Sequence, residues 1–135
     1  MVQYEEVEHT ADCALHVWGD NLGELLMNAA LGLRELMAPA GSEILDRVEQ
    51  RFEIEASDEE SLLVAWLSEL AYWAERERLV FHAFDLLDAS PTHLRVIGQG
   101  SHAAALRCYI KAVTYHNLAV IRTDRGLEAT VVLDV

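Results

Sequence analysis

The sequence of 135 residues carries 10 basic and 23 acidic side chains, a formal net charge of −13, and is 52% apolar. That length makes one domain, spanning residues 1–135, which buries about two-thirds of its extended surface and needs no disulfide staples; the apolar share excludes a disordered chain. The charge argues against bare RNA, DNA or an anionic membrane as a direct ligand, because the field repels phosphate, and it leaves room for a basic protein partner or a hard cation.

No run of eighteen apolar residues occurs, so no membrane-spanning helix is expected. Met1 to Glu8 is acidic and alternating, whereas a secretory leader has a basic start and an apolar run. Cys13 and Cys108 lie far apart and read as reduced core thiols. A cytoplasmic location is the expectation these features share.

Val2 to Val7 and Ala14 to Trp18 read as strands, with the polar bend Glu8-His9-Thr10-Ala11-Asp12 between them. Asn21 and Glu24 have capping-box spacing. The helix they open carries Leu22, Leu25, Leu26, Ala29, Leu33, Leu36 and Met37 on one face and ends at Ala38-Pro39-Ala40-Gly41. Val48 to Ala56 alternates: Val48, Phe52, Ile54 and Ala56 face one way, and Glu49, Arg51, Glu53 and Glu55 the other. Ser57-Asp58-Glu59-Glu60 reads as a second capping box, opening a largely buried helix that carries Leu63, Trp66, Leu67 and Leu70.

The remainder is strand-rich. Val80 to Leu87 and Leu94 to Ile97 flank the turn at Ser90-Pro91. Leu106 to Tyr115 and Leu118 to Arg122 flank His116-Asn117, and Asp124-Arg125-Gly126 turns into a last strand, Leu127 to Val135. The order predicts an α+β fold, a single compact domain with two helices packed on a mixed, mainly antiparallel β-sheet.

There is no phosphate-cradling glycine loop, nucleophile elbow or zinc-protease helix. Gly98-Gln99-Gly100 lacks the third glycine and the following helix of a dinucleotide fingerprint. Asp12 is either a turn carboxylate or a ligand, and His9 either a bend histidine or a ligand. Lys111 is the one lysine among nine arginines, and lysine supplies a compact, mobile ammonium that arginine does not. Asp134, after Val131-Val132-Leu133, is either part of a frayed tail or one of the oxygen donors a hard cation prefers. Spacing alone does not bring Asp12 and Asp134 together. Glu49, Glu53, Glu55, Asp58, Glu59 and Glu60 read as solvated surface, and Trp66, Tyr72 and Trp73 as helix core.

Five segments in register carry a resemblance over nearly the whole chain. Glu8-His9-Thr10-Ala11-Asp12 resembles the opening signature of the archease family. The stretches Asn21 to Ala30 and Glu59 to Leu70 are similar to its two helices. Lys111-Ala112-Val113-Thr114-Tyr115-His116 resembles its late strand motif, and Asp134-Val135 its terminus. The resemblance implies a compact α+β fold and a helper protein that is not itself an enzyme. Its implied partner is the RtcB-type RNA ligase, which joins a 3′-phosphate or 2′,3′-cyclic phosphate end to a 5′-hydroxyl in tRNA splicing and RNA repair. The implied role is to promote that ligase's GTP- and metal-dependent guanylylation and its repeated turnover.

By motif, Asp12, Asp134 and Val135 match the family's metal-site positions. Lys111, with His9 and Thr10, matches positions expected to act toward the partner. Ca2+ is the expected ion, with Mg2+ and Mn2+ as alternatives, and a monomer is the expected state. Gln99 to Leu106 is shorter and less acidic than the corresponding family loop, which bears on partner contacts. The rival expectations are a chaperone-like modulator of a tRNA methyltransferase or other RNA-processing protein, and a small metal-dependent hydrolase.

Overall fold

The alternation and helical spacing produce, in chain order, β1 (Tyr4–Glu8), β2 (Cys13–Gly19), α1 (Leu22–Met37), β3 (Val48–Glu55), α2 (Glu59–Glu77), β4 (Leu79–Ser90), β5 (His93–His102), β6 (Ala112–Val113), β7 (Ile121–Thr123) and β8 (Gly126–Asp134). The structure is a computed structural model that describes residues 3–8, 13–38 and 45–135. Every described ladder is antiparallel, and the strands form two sheets where the sequence suggested one mixed, mainly antiparallel sheet. One has the order β1-β2-β8-β6, with β7 also paired to β8; the other is β3-β5-β4.

Asn21 caps α1 as predicted: its backbone is extended and its Oδ1 accepts the Glu24 N–H at 2.9 Å. That bond satisfies one of the amides a helix start leaves without a partner. Asn21→Ala is expected to cost about 1 kcal/mol and Asn21→Ser far less, as read from urea unfolding midpoints.

The second cap sits one residue later than the Ser57 box. Asp58 Oδ1 accepts the Ser61 N–H at 2.8 Å, leaving Glu59 and Glu60 in the first turn. The shift has a long-range cause: the Ala56 N–H still donates to the Thr92 carbonyl at 3.0 Å, which holds the chain extended past β3. The Ser61 amide, and then its hydroxyl, hold the Asp58 carboxyl below the usual aspartate range. A depressed carboxyl contributes stability above its unfolded pKa and loses it as pH falls through the folded one. Asp58→Asn keeps a capping oxygen without that titration. Between about pH 5 and pH 2 its stability is therefore expected to fall less steeply than wild type in urea melts.

The helices pack against each other and against strands of both sheets. α1 presents Leu25, Leu26, Ala29 and Leu33 to the core, and α2 presents Leu62, Leu63, Trp66 and Leu67. Trp66 is at the junction, fully buried. Its Nε1–H donates to the Leu26 carbonyl at 2.9 Å, and its ring meets Phe52 and Phe84 edge-on, with centroids 5.1 and 5.5 Å apart.

β4 and β5 are longer than their apolar patterns. Gly98 and Gly100 disguise the second half of β5, yet both belong to the ladder. A Cβ on Gly100 would collide with the Val80 carbonyl, and one on Gly98 would lie 2.8 Å from Phe81 Cδ1. The glycines serve close strand packing, not a phosphate.

The predicted strand Leu106 to Tyr115 shrinks to Ala112–Val113, and Leu118 to Arg122 to Ile121–Thr123. The intervening chain has other donors and acceptors to serve. The Ala103 N–H donates to the Arg78 carbonyl at 2.8 Å, and Arg78 Nη1 to the Ala104 carbonyl at 3.1 Å. The Arg107 N–H donates to the Met37 carbonyl at 2.7 Å, and the Cys108 thiol to that of Leu36 at 3.5 Å. Residues 103–108 thus form a strap across the C-terminal ends of both helices, where carbonyls lack helical partners. No helix among the described residues is long and apolar enough to cross a membrane.

Candidate functional site

β8 places the site. Leu127, Ala129, Val131 and Leu133 alternate into the core, so Asp134 points outward at the strand's end. There β8 is held on both sides: Leu133 pairs with Cys13 of β2 and Val113 of β6, and Asp134 with Ala112. The Lys111 N–H donates to the Asp134 carbonyl at 2.7 Å. Thr114 fixes the next step, its N–H and Oγ1–H both donating to the Val132 carbonyl, at 3.0 and 2.9 Å. Buried Ile110 and Val113 anchor the segment on either side of Lys111.

The structure therefore brings Lys111, Asp134 and Val135 to one end of the larger sheet, all three exposed. His9, Thr10 and Asp12 lie outside the described residues; the nearest described pair is Cys13 with Leu133. Two clefts of about 610 and 590 Å3 lie beside Asp20 to Gly23 and beside Arg47 to Glu49, and neither is lined by Lys111, Asp134 or Val135.

The donor chemistry at this end fits a hard cation in kind. Asp134 offers a carboxylate that makes no hydrogen bond or ion pair among the described residues, and Val135 adds a main-chain oxygen. Calcium takes six to eight oxygens, so these two residues would supply only part of such a shell, with water and further carboxylates needed to complete it. The exposure of both permits that.

Sequence reasoning missed Tyr109 and Tyr115, which flank Lys111 and are 42% and 57% exposed. A regular strand over 106–115 would have put residues 109, 111, 113 and 115 on one face. In the irregular chain Val113 turns inward while the other three stay in solvent. Thr114 was also missed, because a clamp made through a main-chain carbonyl leaves no sequence signature. At the opposite end of β8, His16 Nδ1 lies 2.9 Å from Thr130 Oγ1 and Nε2 3.0 Å from Glu128 Oε1. The Arg125 guanidinium stacks 4.5 Å from the Trp18 ring centroid. Hydrogen bonds from Thr123 first, and then from His16, with the Arg125 charge, hold the Glu128 carboxyl below its usual range.

Residues 4–135 match the family model described as the Archease protein family (MTH1598/TM1083). The chain is similar to proteins called archease from Archaeoglobus fulgidus and Methanosarcina acetivorans. The first is 34% identical, covering 99% of this chain and 100% of the relative; the second is 32% identical, covering 98% and 96%. Among solved structures it resembles Methanobacterium thermoautotrophicum protein 1598, with a TM-score of 0.73 and 29% identity over the whole of both chains. It also shares its fold with a Thermotoga maritima protein described as an archease and possible chaperone, at a TM-score of 0.71 and 22% identity, over 97% and 96% of the two chains.

Proposed function

The chain belongs to the archease family, and from that premise we propose that it is a non-enzymatic activator of an RtcB-type 3′-phosphate RNA ligase. In this reading it promotes the ligase's GTP- and metal-dependent guanylylation and its repeated turnover. The observation that carries the proposal is the coupling of Lys111 to Asp134. The main chains are hydrogen-bonded at 2.7 Å while both side chains face solvent at the end of a sheet whose core is fully packed. A cation and a carboxylate are thereby presented together in solvent at one end of the sheet, where a partner can reach them.

Asp134, the main-chain oxygen of Val135 and, by the family motif, Asp12 would hold the divalent ion, with calcium favoured by the all-oxygen set. When bound, such an ion supplies positive charge against phosphate oxygens. The residues themselves do the rest. Asp134 fixes a negative charge at the strand end. Lys111 brings an ammonium that neutralises either that carboxylate or a nucleotide phosphate. Tyr109 and Tyr115 offer amphipathic contact area around it. By the family motif, His9 and Thr10 are assigned a role toward the partner as well. The net charge of −13 attracts a basic, RNA-binding partner and makes the association rate salt-sensitive; direct nucleic-acid binding by this chain is not part of the reading.

The test is single-turnover guanylylation of the cognate ligase, at matched divalent metal, with and without this protein. Acceleration is the expected result. An active ligase that a folded sample fails to accelerate removes the activator reading. It would favour the second one, a chaperone-like modulator of an RNA-processing protein such as a tRNA methyltransferase; the Thermotoga maritima relative is described as a possible chaperone, with no client named. That reading expects activity without metal and tolerance of Asp134 substitution.

A further inference from the structure

The solvent face of the β3-β5-β4 sheet carries a separate cluster of ligand-type side chains. We infer that it is a binding site for a Zn2+-like divalent cation, with Glu53, Glu55 and His93 as ligands and Asp88 orienting the imidazole. Glu53 and Glu55 are two residues apart on β3, so they share a face. His93 opens β5 directly opposite Glu55, and β4, which carries Asp88, lies on the other side of β5. One donor atom from each of Glu53, Glu55 and His93 lies within 4.8 Å of the other two.

His93 Nε2 is 3.2 Å from Glu53 Oε1, and Nδ1 is 3.4 Å from Asp88 Oδ2. A tetrahedral ion about 2.0–2.2 Å from each ligand spaces its ligands roughly 3.3–3.6 Å apart. Glu53 and His93 are already near that separation. Glu55 closes the remainder by side-chain rotation, and its carboxylate has no hydrogen bond or ion pair among the described residues.

Carboxylates flank both ring nitrogens, Glu53 at Nε2 and Asp88 at Nδ1. An ion among the glutamates would take the Nε2 lone pair and leave the proton on Nδ1, where Asp88 accepts it. The same carboxylate–imidazole–metal chain orients histidine ligands in zinc sites. The Glu53 and Asp88 carboxylates raise the His93 pKa, as expected where negative potential gathers. Arg95 stands opposite Glu53 in the register, and Arg51 precedes it by two on the same face. Among the described residues neither arginine is within ion-pair distance of Glu53 or Glu55. With a neutral imidazole, two ligating carboxylates balance a divalent charge. One nitrogen and two oxygens suit zinc better than calcium, which prefers oxygen throughout. The hard oxygen set at Asp134 is therefore a different site with a different preference.

A bound ion would tie β3 to β5 and, through Asp88, to β4. Zn2+ titration of the full chain by calorimetry, with His93 ring signals followed by NMR, tests this. His93→Gln is expected to lose one equivalent of Zn2+ while its circular dichroism stays that of wild type. Asp88→Asn should weaken the same event about 10–100-fold, and Asp134→Asn should leave it unchanged. Wild-type protein that takes up no Zn2+, or His93→Gln that binds it with wild-type stoichiometry and affinity, overturns the assignment. The second result would place the ion on thiols or other histidines.

Discussion

Trp66→Ala is expected to destabilise the protein by about 3–5 kcal/mol, the range for deleting a buried aromatic side chain. Against a total stability of about 5–15 kcal/mol for a domain, that is a large share. Trp66 is fully buried where α2 crosses α1, and three kinds of interaction converge on it. Its indole fills the space between the helices and the inner face of β3 and β4. Phe52 and Phe84 meet it edge-on, in contacts worth about 0.5–1.5 kcal/mol beyond area burial. Its N–H reaches the Leu26 carbonyl.

Trp66→Phe separates these contributions. It keeps most of the aromatic volume and loses the hydrogen bond. The stranded Leu26 carbonyl lies in the second turn of α1 and has a helical amide partner, so the bond's loss adds only about 0.5–1.5 kcal/mol. The expected order in urea unfolding at unchanged m-value is wild type, then Trp66→Phe, then Trp66→Ala well below. If the alanine variant lost less than about 1 kcal/mol, well short of the expected range, the two helices would not meet through this side chain.

Asp134→Ala is expected to lower ligase guanylylation in the presence of the protein by about tenfold or more, which corresponds to some 1.4 kcal/mol of lost transition-state stabilisation. Lys111→Met should lower it in the same assay. These variants are informative because the bond joining the two positions is made by main-chain atoms. Removing either side chain leaves the ladder, the Thr114 clamp and the Leu133 anchor in place. Activation and folding are thereby uncoupled, and unchanged unfolding midpoints beside lost acceleration would assign the defect to the site. Asp134→Ala that accelerates the ligase as well as wild type does would exclude the acidic end as the acting surface.

The helices and the outer parts of the sheets were legible because their signals are periodic and local. Asn21 with Glu24, and the alternation from Val48 to Glu55, each state their structure within a few residues. Trp66 was legible as core because it falls on a helical stripe. Legibility ended where long-range demand overrode local pattern. Gly98 and Gly100 look like strand breakers, yet they are selected by the nearness of Val80 and Phe81. Leu106 to Ile110 has the composition of a strand but is drawn away by unsatisfied carbonyls at Leu36 and Met37, some seventy positions earlier in the chain. The Ser57 box lost to Asp58 because of a hydrogen bond to the distant β4–β5 turn.

At the candidate site, Lys111 was marked by its rarity and Asp134 by its position after an apolar run. Their hydrogen-bonded register could not be read from either. Glu53, Glu55 and His93 were missed as a group because their juxtaposition depends on the register of β3 against β5, across forty residues of chain.

The strap over residues 103–108 also governs how a load at the site is shared. It begins on the Arg78 carbonyl, crosses to Met37 and Leu36, and only three residues after Cys108 reaches Lys111. A partner that pulls on Lys111 therefore pulls on a line moored at the ends of both helices and, through Asp134, on the central strand. The pull is spread over the whole core instead of peeling one short edge strand. The two-residue β6 alone would be a poor fastening; moored in this way, its neighbour Lys111 is tied to the ends of both helices as well as to β8.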